Sequence, residues 1–484
     1  MKYKIIIKIL SLITATVSAA MLLPWLCAVR SGTDDAKAFV LASAICAALS
    51  AAAFSWSKNA PYSDLGVRES YACVTFSWIA ASVAGALPFL FSGVCTTFTD
   101  AFFETMSGFT TTGSSIFTQV EHLPKGILLW RALTQWLGGM GIVVLVLAIT
   151  SIAGGGSNGL FKAESPGPVL QKTDPTIDKM SKKLWNIYIG ITLLSILLLL
   201  AGGMPLFDSV CHSFSAVSTG GFSIKNDGIG FYNSAYIEYA LTFIMFICGI
   251  SFSLHLAALA KRSLRPYRDA ECLFYIKIVL SATAAIAFFL VTSGRFGNIP
   301  EAVRNAAFNV VSIITTTGFA NAEDFSLWHK FAVVLLFALM FIGGCAGSTA
   351  GGIKCVRINA AWQTAKTESR KLIHPNAIIP IQMGKQPVDG QFAASAATFI
   401  VLYIFVYIIS TLLLCACGCE LTTSASAIAA ALGNIGPGLG EIGPKGSFSH
   451  LCCFAKWVCS FCMLAGRLEL YTVFVLLCKD EWVR

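Results

Sequence analysis

Long apolar runs recur along the whole chain and are separated by short polar stretches. Runs of about 20 apolar residues are long enough to cross a bilayer core of ~30 Å. We interpret the first run as a retained helix rather than a cleaved signal, because it is long and further spans follow at once. The pattern predicts ten membrane spans, at 5–29, 36–56, 69–93, 126–153, 184–204, 234–260, 270–293, 329–360, 392–418 and 449–479.

Four short segments between these spans resemble one another, and each has one span before it and one after it. They are Ser-Gly-Phe-Thr-Thr-Thr-Gly (107–113), Ser-Ala-Val-Ser-Thr-Gly-Gly (215–221), Ser-Ile-Ile-Thr-Thr-Thr-Gly (312–318) and Ala-Ala-Leu-Gly-Asn-Ile-Gly (430–436). A residue suited to cap a helix precedes each final glycine by thirteen positions: Asp100, Asp208, Asn305 and Thr423. Each segment therefore predicts a capped helix of about 11 residues followed by an extended stretch.

A helix of this length is too short to cross a membrane, so each one must enter and return on the same side as a re-entrant loop. Irregular backbone at membrane depth is tolerated only where it is buried in protein or lines a watery cavity. Four such loops around one axis predict a pore. The predicted fold is an all-α polytopic membrane protein with four span–pore loop–span repeats in pseudo-four-fold arrangement, plus an N-terminal helix pair. We divide the chain into 1–66 (the helix pair) and repeats 1 to 4, at 67–155, 156–262, 263–375 and 376–484.

The residue types in the four segments suit a cation filter. A dehydrated cation needs oxygen ligands, which rings of backbone carbonyls supply in potassium-selective filters. Glycine permits the backbone conformations that turn carbonyls toward an axis, and the negative ends of the helix dipoles favour a cation there. The candidate potassium-binding residues are Thr110, Thr111, Thr112, Gly113, Ser218, Thr219, Gly220, Gly221, Thr315, Thr316, Thr317, Gly318, Asn434, Ile435 and Gly436.

The predicted span 329–360 contains Gly-Gly-Cys-Ala-Gly-Ser-Thr-Ala-Gly-Gly-Ile-Lys (343–354). Each glycine costs a helix about 1 kcal/mol relative to alanine, so this segment should break the span. A flexible loop at this depth would obstruct the pore and act as a gate; the alternative is close helix packing through small residues. The candidate gate residues are Gly343, Gly344, Gly347, Ser348, Thr349, Gly351, Gly352 and Lys354.

Arg467 lies inside the last span, where a charged side chain is costly and usually faces the bundle interior or a cavity. Glu469 is an unsuitable partner, because positions i and i+2 face different sides of a helix. We expect Arg467 to bind the carbonyls of the gate loop; a purely structural salt bridge is the alternative. Lys354 should reach acidic or carbonyl groups near the cytoplasmic mouth.

Acidic residues lie on the outer side of the predicted pore. They either concentrate cations in a funnel or act as helix caps and solvated loop residues, and we favour caps for Asp100 and Asp208. The other members are Glu301, Glu323, Asp324, Glu420 and Glu441. At the outer end of one span Cys415, Cys417 and Cys419 alternate; a metal site is one interpretation, but their spacing matches no zinc pattern, and an extracellular disulfide is favoured over it.

Amino-acid composition also indicates a membrane protein and its orientation. Hydrophobic residues make up 56% of the 484 residues and charged residues only 12%, and the mean hydropathy is +0.73. The net charge of +9 does not indicate nucleic-acid binding, because most of the Lys and Arg fall on one side of the predicted topology. The positive-inside rule then places both termini in the cytoplasm.

Several motifs together resemble the Trk/Ktr/HKT superfamily of cation transporters, in particular its bacterial TrkH/TrkG branch. The resemblance covers essentially the whole chain, and the N-terminal helix pair favours the TrkH type over the shorter Ktr type. Its motifs are Phe-Glu-Thr-Met-Ser-Gly-Phe-Thr-Thr-Thr-Gly (103–113), Ser-Thr-Gly-Gly-Phe-Ser (218–223), Thr-Thr-Thr-Gly-Phe (315–319), Gly-Asn-Ile-Gly-Pro-Gly (433–438), the segment 343–354 and Gly-Arg-Leu-Glu (466–469).

The resemblance implies a potassium transporter of the bacterial inner membrane, with rubidium as a surrogate ion and no organic cofactor. It implies filter glycines at Gly113, Gly221, Gly318 and Gly436, a gating loop at 343–354 and a loop-binding arginine at Arg467. It also implies a homodimer in membrane lipid, with one pore in each protomer, and a cytosolic TrkA-like nucleotide-binding regulatory subunit. Both channel-like conduction and proton-coupled symport are compatible with it, and we favour conduction. Asn434 and Ile435 depart from the Thr-rich pattern of the other repeats, which predicts looser selectivity.

Two other classes fit less well. A coupled secondary transporter predicts inverted repeats and ionisable residues at the membrane midplane, whereas these repeats are parallel. An intramembrane enzyme or redox protein needs a nucleophile–base pair or paired ligands inside the spans, and none is evident in the sequence.

Overall fold

The computed structural model describes residues 3–61, 67–141, 177–321, 323–377, 379–384 and 386–477. Among these residues, six helical stretches are long and apolar enough to cross a membrane. They match the N-terminal pair of predicted spans and the span that leads into each repeat. The helices are Tyr3–Ala20 with Leu22–Ser31, then Ala36–Ser57, Val67–Phe91, Ile177–Ala201, Ala270–Thr292 and Gly390–Ala416.

The predicted short helices, here called the pore helices, follow the leading span in each repeat. They are Phe98–Phe109, Leu206–Val217, Ile299–Ile314 and Leu421–Gly433. The C-terminal half of each pore helix is buried, which is consistent with a helix inserted into the protein rather than exposed to lipid. Short 3-10 helices lie outside them, at Gly228–Tyr232, Phe325–Leu327 and Gly440–Ile442.

The predicted N-caps Asp100, Asp208, Asn305 and Thr423 are wrong. The caps are Thr97, Pro205, Asn298 and Glu420, so each helix begins at least three residues earlier. In repeat 1 the Thr97 hydroxyl accepts a hydrogen bond from Asp100 N and donates one to Asp100 Oδ2. An acidic residue at the third helical position reinforces such a cap and favours the positive end of the dipole.

The spans that leave the pore loops differ from the prediction, because three of them are broken in mid-course. Repeat 2 has Ala235–Cys248 and Phe252–Lys261, bent by 92°. Repeat 3 has Lys330–Leu339 and Cys355–Ile373, and repeat 4 has Cys453–Arg467 and Tyr471–Leu477. In repeat 1 the helix Lys125–Gly139 is described, and the rest of that predicted span lies outside the described residues.

Two large apolar clusters form most of the core, and a smaller third one lies around Leu128 and Cys211. One joins the N-terminal pair to repeats 1 and 4, through residues such as Ile13, Trp78 and Met463. The other joins repeats 2 and 3. The fourth pore helix contributes to both, with Ile428 in the first cluster and Ala429 in the second. The two clusters therefore meet at the fourth pore helix. Gln382–Met383 and Gln386–Pro387 form an antiparallel strand pair, and Arg265–Arg268 is a 3-10 helix.

Candidate functional site: a four-segment ring and the loop beneath it

Each pore helix ends in the same hydrogen-bonded turn. In repeat 1, Thr112 N donates to Ser107 O, and Thr111 N donates to Gly108 O. This pair of bonds defines a Schellman turn, which needs a left-handed residue just past the helix. The bond equivalent to Thr112 N–Ser107 O is 2.8 Å long in all four repeats. The left-handed residues are Thr111, Thr219, Thr316 and Asn434, with φ of 53°, 54°, 56° and 55°.

Left-handed backbone is unusual for a β-branched residue and costs roughly 1–3 kcal/mol, so it persists only where the surroundings enforce it. Two residues later, the chain is left-handed again at a glycine in every repeat. These glycines are Gly113, Gly221, Gly318 and Gly436, with φ of 84°, 77°, 72° and 106°. The four segments thus share one alternating backbone conformation, although their side chains differ.

The four glycines form a closed ring. A Cβ atom on Gly113 would meet the carbonyl oxygen of Gly220 in the next repeat at a distance under 3.0 Å, which real Cβ atoms essentially never show. The same relation joins the second glycine to Thr317 O, the third to Ile435 O and the fourth back to Thr112 O. Each repeat therefore places its glycine against the preceding-residue carbonyl of the next repeat, in the order 1–2–3–4–1. No side chain fits at these positions.

The side chains behind the ring differ between repeats. In repeats 1 and 3 two Thr hydroxyls pair, Thr110 with Thr112 and Thr315 with Thr317, each at 2.8 Å. Repeat 4 has an amide instead: Asn434 Nδ2 donates to the Thr112 hydroxyl and to a carbonyl of the last span. In repeat 2 the Ser218 hydroxyl donates to its own pore helix, and Gly220 carries no side chain.

The loop 343–354 lies directly against the ring. Gly351 N donates to the hydroxyl of Thr316 at 2.6 Å, and the Thr349 hydroxyl reaches Val217 O at the end of the second pore helix. A Cβ on Gly351 would lie 2.6 Å from Gly433 O of the fourth repeat. The loop therefore contacts three ring segments itself, and Arg467 connects it to the first.

Arg467 connects the loop to the first ring segment. Its guanidinium donates to Thr349 O at 2.8 Å, to the Thr111 hydroxyl at 3.0 Å, and to the carbonyls of Gly138 and Gly139. The expected contact with the loop carbonyls is thus present. Glu469 pairs with Arg357 on the helix after the loop rather than with Arg467. Glu469 and Leu470 both have positive φ, which breaks the last span just after the arginine.

Further hydrogen bonds, within the loop and to neighbouring segments, hold the loop 343–354 in place. Gly343 N donates to Ile353 O at 2.6 Å, which closes the base of the loop. The break in the repeat 2 span contributes a second set of bonds, Cys345 N to Gly249 O and Phe252 N to Gly347 O, both 2.9 Å. The carboxylate of Glu271 accepts from Ala346 N and Val356 N. This segment is therefore hydrogen-bonded throughout, and its glycines do not mark an open coil.

The remaining loop residues complete the network. Lys354 is buried and its Nζ donates to Ala350 O. The Ser348 hydroxyl donates to Cys345 O, Gly344 O accepts from Cys355 N, and Gly352 O accepts from Lys354 N. The predicted reach of Lys354 to a carbonyl is thus present, and the carbonyl belongs to the loop itself.

Most of the outer acidic residues already have partners. Asp100 pairs with Lys456 at 2.7 Å, Asp208 accepts from the hydroxyl of Tyr232, and Asp324 caps a 3-10 helix. Burial, followed by the bond to Asp208, raises the pKa of Tyr232 above its ordinary value, so the hydroxyl stays a donor. Three more lie beside basic side chains: Glu301 beside Arg304, Glu323 beside Arg295, and Glu441 beside His450. Glu420 is the N-cap residue of the fourth pore helix. These contacts favour structural roles over a funnel of free carboxylates.

The cysteines at the C-terminal end of the fourth leading span are free. Cys415, Cys417 and Cys419 are all thiols, so the favoured disulfide is not formed. Within the described residues no group of three or more His, Cys, Asp or Glu side chains is arranged to hold a metal ion. The oxygen-rich positions of the ring therefore depend on backbone carbonyls and hydroxyls.

Sequence reasoning missed four side chains that support the site. Glu104 and Arg131 form a buried ion pair at 2.8 Å behind the first ring segment, and Glu271 anchors the loop. Gln135 is completely buried and bonds the second ring segment. A charged residue inside the apolar pore helix was the available signal for Glu104, because such charges are almost never buried unless paired. Nothing local distinguishes Gln135.

Comparisons with known proteins agree with this architecture. A family profile described as TrkH, cation transport protein, matches residues 35–481. The chain is 36% identical to the Trk system potassium uptake protein TrkH of Salmonella typhimurium and 35% identical to that of Escherichia coli K12, each over 100% of both chains. The crystal structure of the potassium transporter TrkH from Vibrio parahaemolyticus superposes with a TM-score of 0.89 at 33% identity, again over 100% of both chains. The fold of this protein is thus a polytopic helical bundle. The chain belongs to the TrkH family of cation transport proteins, which are transporters rather than enzymes.

Proposed function

We propose that this protein takes up potassium across a membrane, with the four-segment ring as its selectivity filter. The observation that carries the proposal is the closed ring of glycines and carbonyls, repeated with one backbone conformation in four non-identical repeats. The relatives' names, which describe potassium uptake, support the same ion.

The chemistry of the ring suits a dehydrated monovalent cation. Carbonyls from four repeats supply oxygen ligands without a full negative charge. The pore helices direct their C-terminal ends to the ring, where their dipoles add negative potential. We expect potassium at residues 110–113, 218–221, 315–318 and 434–436, with rubidium as a surrogate and no organic cofactor.

We further propose that the loop 343–354 is the gate and Arg467 its latch. The loop occupies the space directly against the ring, and its bonds to Thr316, Glu271 and Arg467 support a closed arrangement. Close packing through small residues is the alternative to a gate that the sequence offers. The two are compatible, because small residues allow the loop to close tightly.

The deciding experiment is ⁸⁶Rb⁺ uptake into proteoliposomes that contain this chain alone, compared with Gly113→Ser. We expect flux that K⁺ inhibits more strongly than Na⁺, with the preference lost in the variant because a side chain at Gly113 would meet Gly220 O. Flux that requires a pH gradient would replace conduction with proton-coupled symport. Equal inhibition of the native protein by K⁺ and Na⁺ would contradict the filter.

The gate has its own test. Deletion of residues 346–349 removes the part of the loop between Cys345 and Ala350 and should raise Rb⁺ flux without changing the ion preference. Shortening the exposed end of the helix Cys355–Ile373, at Leu372 and Ile373, is a matched control because both side chains are exposed. Unchanged flux after the loop deletion would contradict the gate.

We propose that the protein works in the bacterial inner membrane as a homodimer in lipid, with both termini in the cytoplasm and a TrkA-like nucleotide-binding subunit bound there. The hydrogen bonds that hold the loop limit the basal flux of the chain alone, and a cytosolic subunit supplies the input that raises it. Basic residues such as Lys261, Arg262 and Arg268 at one end of the bundle support the orientation. Native mass spectrometry should give twice the chain mass, and labelling of a cysteine introduced at the N-terminus should need a permeant reagent.

A further inference from the structure

The second ring segment lacks the side chain that its three counterparts use. The position before each ring glycine is Thr112, Thr317 or Ile435 in three repeats, and Gly220 in repeat 2. A Cβ on Gly220 would lie 2.5 Å from Cδ of Gln135, a residue of the helix Lys125–Gly139 in repeat 1. Gln135 thus fills the space of the missing side chain from a neighbouring repeat.

The Gln135 amide also bonds both peptide groups that flank Gly221. Its Nε2 donates to Gly220 O at 2.6 Å, and its Oε1 accepts from Phe222 N at 3.0 Å. Gly221 has a positive φ, and a glycine segment without a side chain can rotate its peptide planes freely. One buried amide therefore fixes the two planes that set the direction of the second ring carbonyl.

Gly220 O keeps its place in the ring while it accepts this bond. A Cβ on Gly113 would meet Gly220 O, just as a Cβ on Gly221 or Gly318 would meet the ring carbonyl of the following repeat. In the described residues, the equivalent oxygens of Thr112, Thr317 and Ile435 accept no side-chain hydrogen bond. The ring is therefore chemically uneven, with one carbonyl held and polarised by an amide.

On the basis of the proposed filter, we propose that Gln135 is a positioning residue for ion selectivity: it stands in for the side chain absent at Gly220 and holds the second ring carbonyl toward the ion. In Gln135→Ala the peptide planes around Gly221 lose both bonds and part of the ring oxygen set. Gly220→Thr would displace the amide. In the double variant the new Thr faces Ser218, as Thr112 faces Thr110, and should restore the support.

Potassium binding tests this without requiring an open gate. The purified full-length protein is heated in detergent at increasing K⁺ or Na⁺, because an ion that binds only the folded state raises Tm, and the ion concentration at which Tm begins to rise reports its affinity. Gln135→Ala should lower the apparent K⁺ affinity by about threefold to tenfold, the range expected for one or two lost hydrogen bonds. Gly220→Thr should do the same, Gln135→Ala with Gly220→Thr should recover most of the loss, and Gln363→Ala, on the cytoplasmic helix Cys355–Ile373, should match the native protein.

The rescue separates positioning from general stability. A Gln135→Ala protein with native K⁺ affinity would overturn the inference while leaving the filter intact. A double variant no better than Gln135→Ala, or one that fails to fold together with it, would overturn it also, because Gln135 would then serve folding alone. Absence of any K⁺-specific stabilisation in the native protein would count against the filter itself and remove the inference with it.

Discussion

Glycine serves opposite purposes in the ring and in the loop beneath it. All four ring glycines have positive φ and face a carbonyl of the next repeat, so both conformation and space exclude a side chain. In the loop only Gly347 and Gly352 have positive φ; Gly343, Gly344 and Gly351 have ordinary backbone but lie against neighbouring backbone. The ring is thus specified by conformation, whereas the loop is largely specified by close contact with its surroundings. Any substitution of a ring glycine should therefore disrupt the ring. Substitutions in the loop should instead weaken its contacts one at a time.

The largest effect is expected in the ring. Gly318→Ser combines an unfavourable φ of +72° with overlap on Ile435 O, and we expect the K⁺/Na⁺ preference in Rb⁺ uptake to fall by at least about tenfold, equivalent to ~1.4 kcal/mol. Gly93→Ser is the control, because Gly93 has nearly the same φ, +74°, but nothing within 4 Å. Equal loss in both variants would mean that strain alone, and not the ring, is responsible.

The next effect belongs to the loop. A methyl group in Gly351→Ala would meet Gly433 O and Asn434 Cβ, which should push the loop away from the fourth ring segment. We expect Rb⁺ flux to rise several-fold with an unchanged K⁺/Na⁺ preference. Gly297→Ala, at a position with open space, should leave flux at the native level. A changed K⁺/Na⁺ preference in Gly351→Ala would mean that the loop also affects selectivity, which would contradict the distinction between the ring and the loop.

A smaller effect is expected from the lateral anchor of the loop. Glu271→Ala leaves Ala346 N and Val356 N without their carboxylate, and a hydrogen bond to a charged group is worth about 1.5–3 kcal/mol. Flux should rise without any change in preference, and amide exchange at Ala346 should accelerate. Glu368→Ala removes an exposed carboxylate that pairs with Lys371 and provides the comparison. Native exchange at Ala346 in Glu271→Ala would show that Glu271 does not hold the loop.

The smallest effect concerns the back of the ring. Thr110→Val removes the hydroxyl that pairs with Thr112 while it keeps the shape of the side chain. The K⁺/Na⁺ preference should fall by about twofold to threefold, since one neutral hydrogen bond contributes ~1 kcal/mol or less. Thr283→Val is the matched variant, because the Thr283 hydroxyl has no partner among the described residues. A larger loss than in Gly318→Ser would reverse the proposed order of importance.

Local sequence determined much of this protein. Apolar length predicted the six continuous spans, since a bilayer sets a minimum for every crossing helix. The repetition of short polar segments predicted the pore helices, and the glycine at the end of each segment predicted the ring positions. The cap residues were misplaced, because several residues near a helix start can accept a backbone hydrogen bond and only the fold selects one. Asn434 was the one local sign of the left-handed turn, since Asn tolerates that conformation better than Thr.

Tertiary structure decided the rest. The break at Gly249 follows from backbone groups that find partners in the loop, and such partners lie in a different repeat. Gln135 carries no signal in its own helix; its role exists only because Gly220, 85 residues away, lacks a side chain. Periodicity and glycine therefore established which segments enter the membrane, where they turn and how many repeats there are. The order 1–2–3–4–1 of the ring, and the side chains that hold it, depend on contacts between repeats that no single segment of sequence contains.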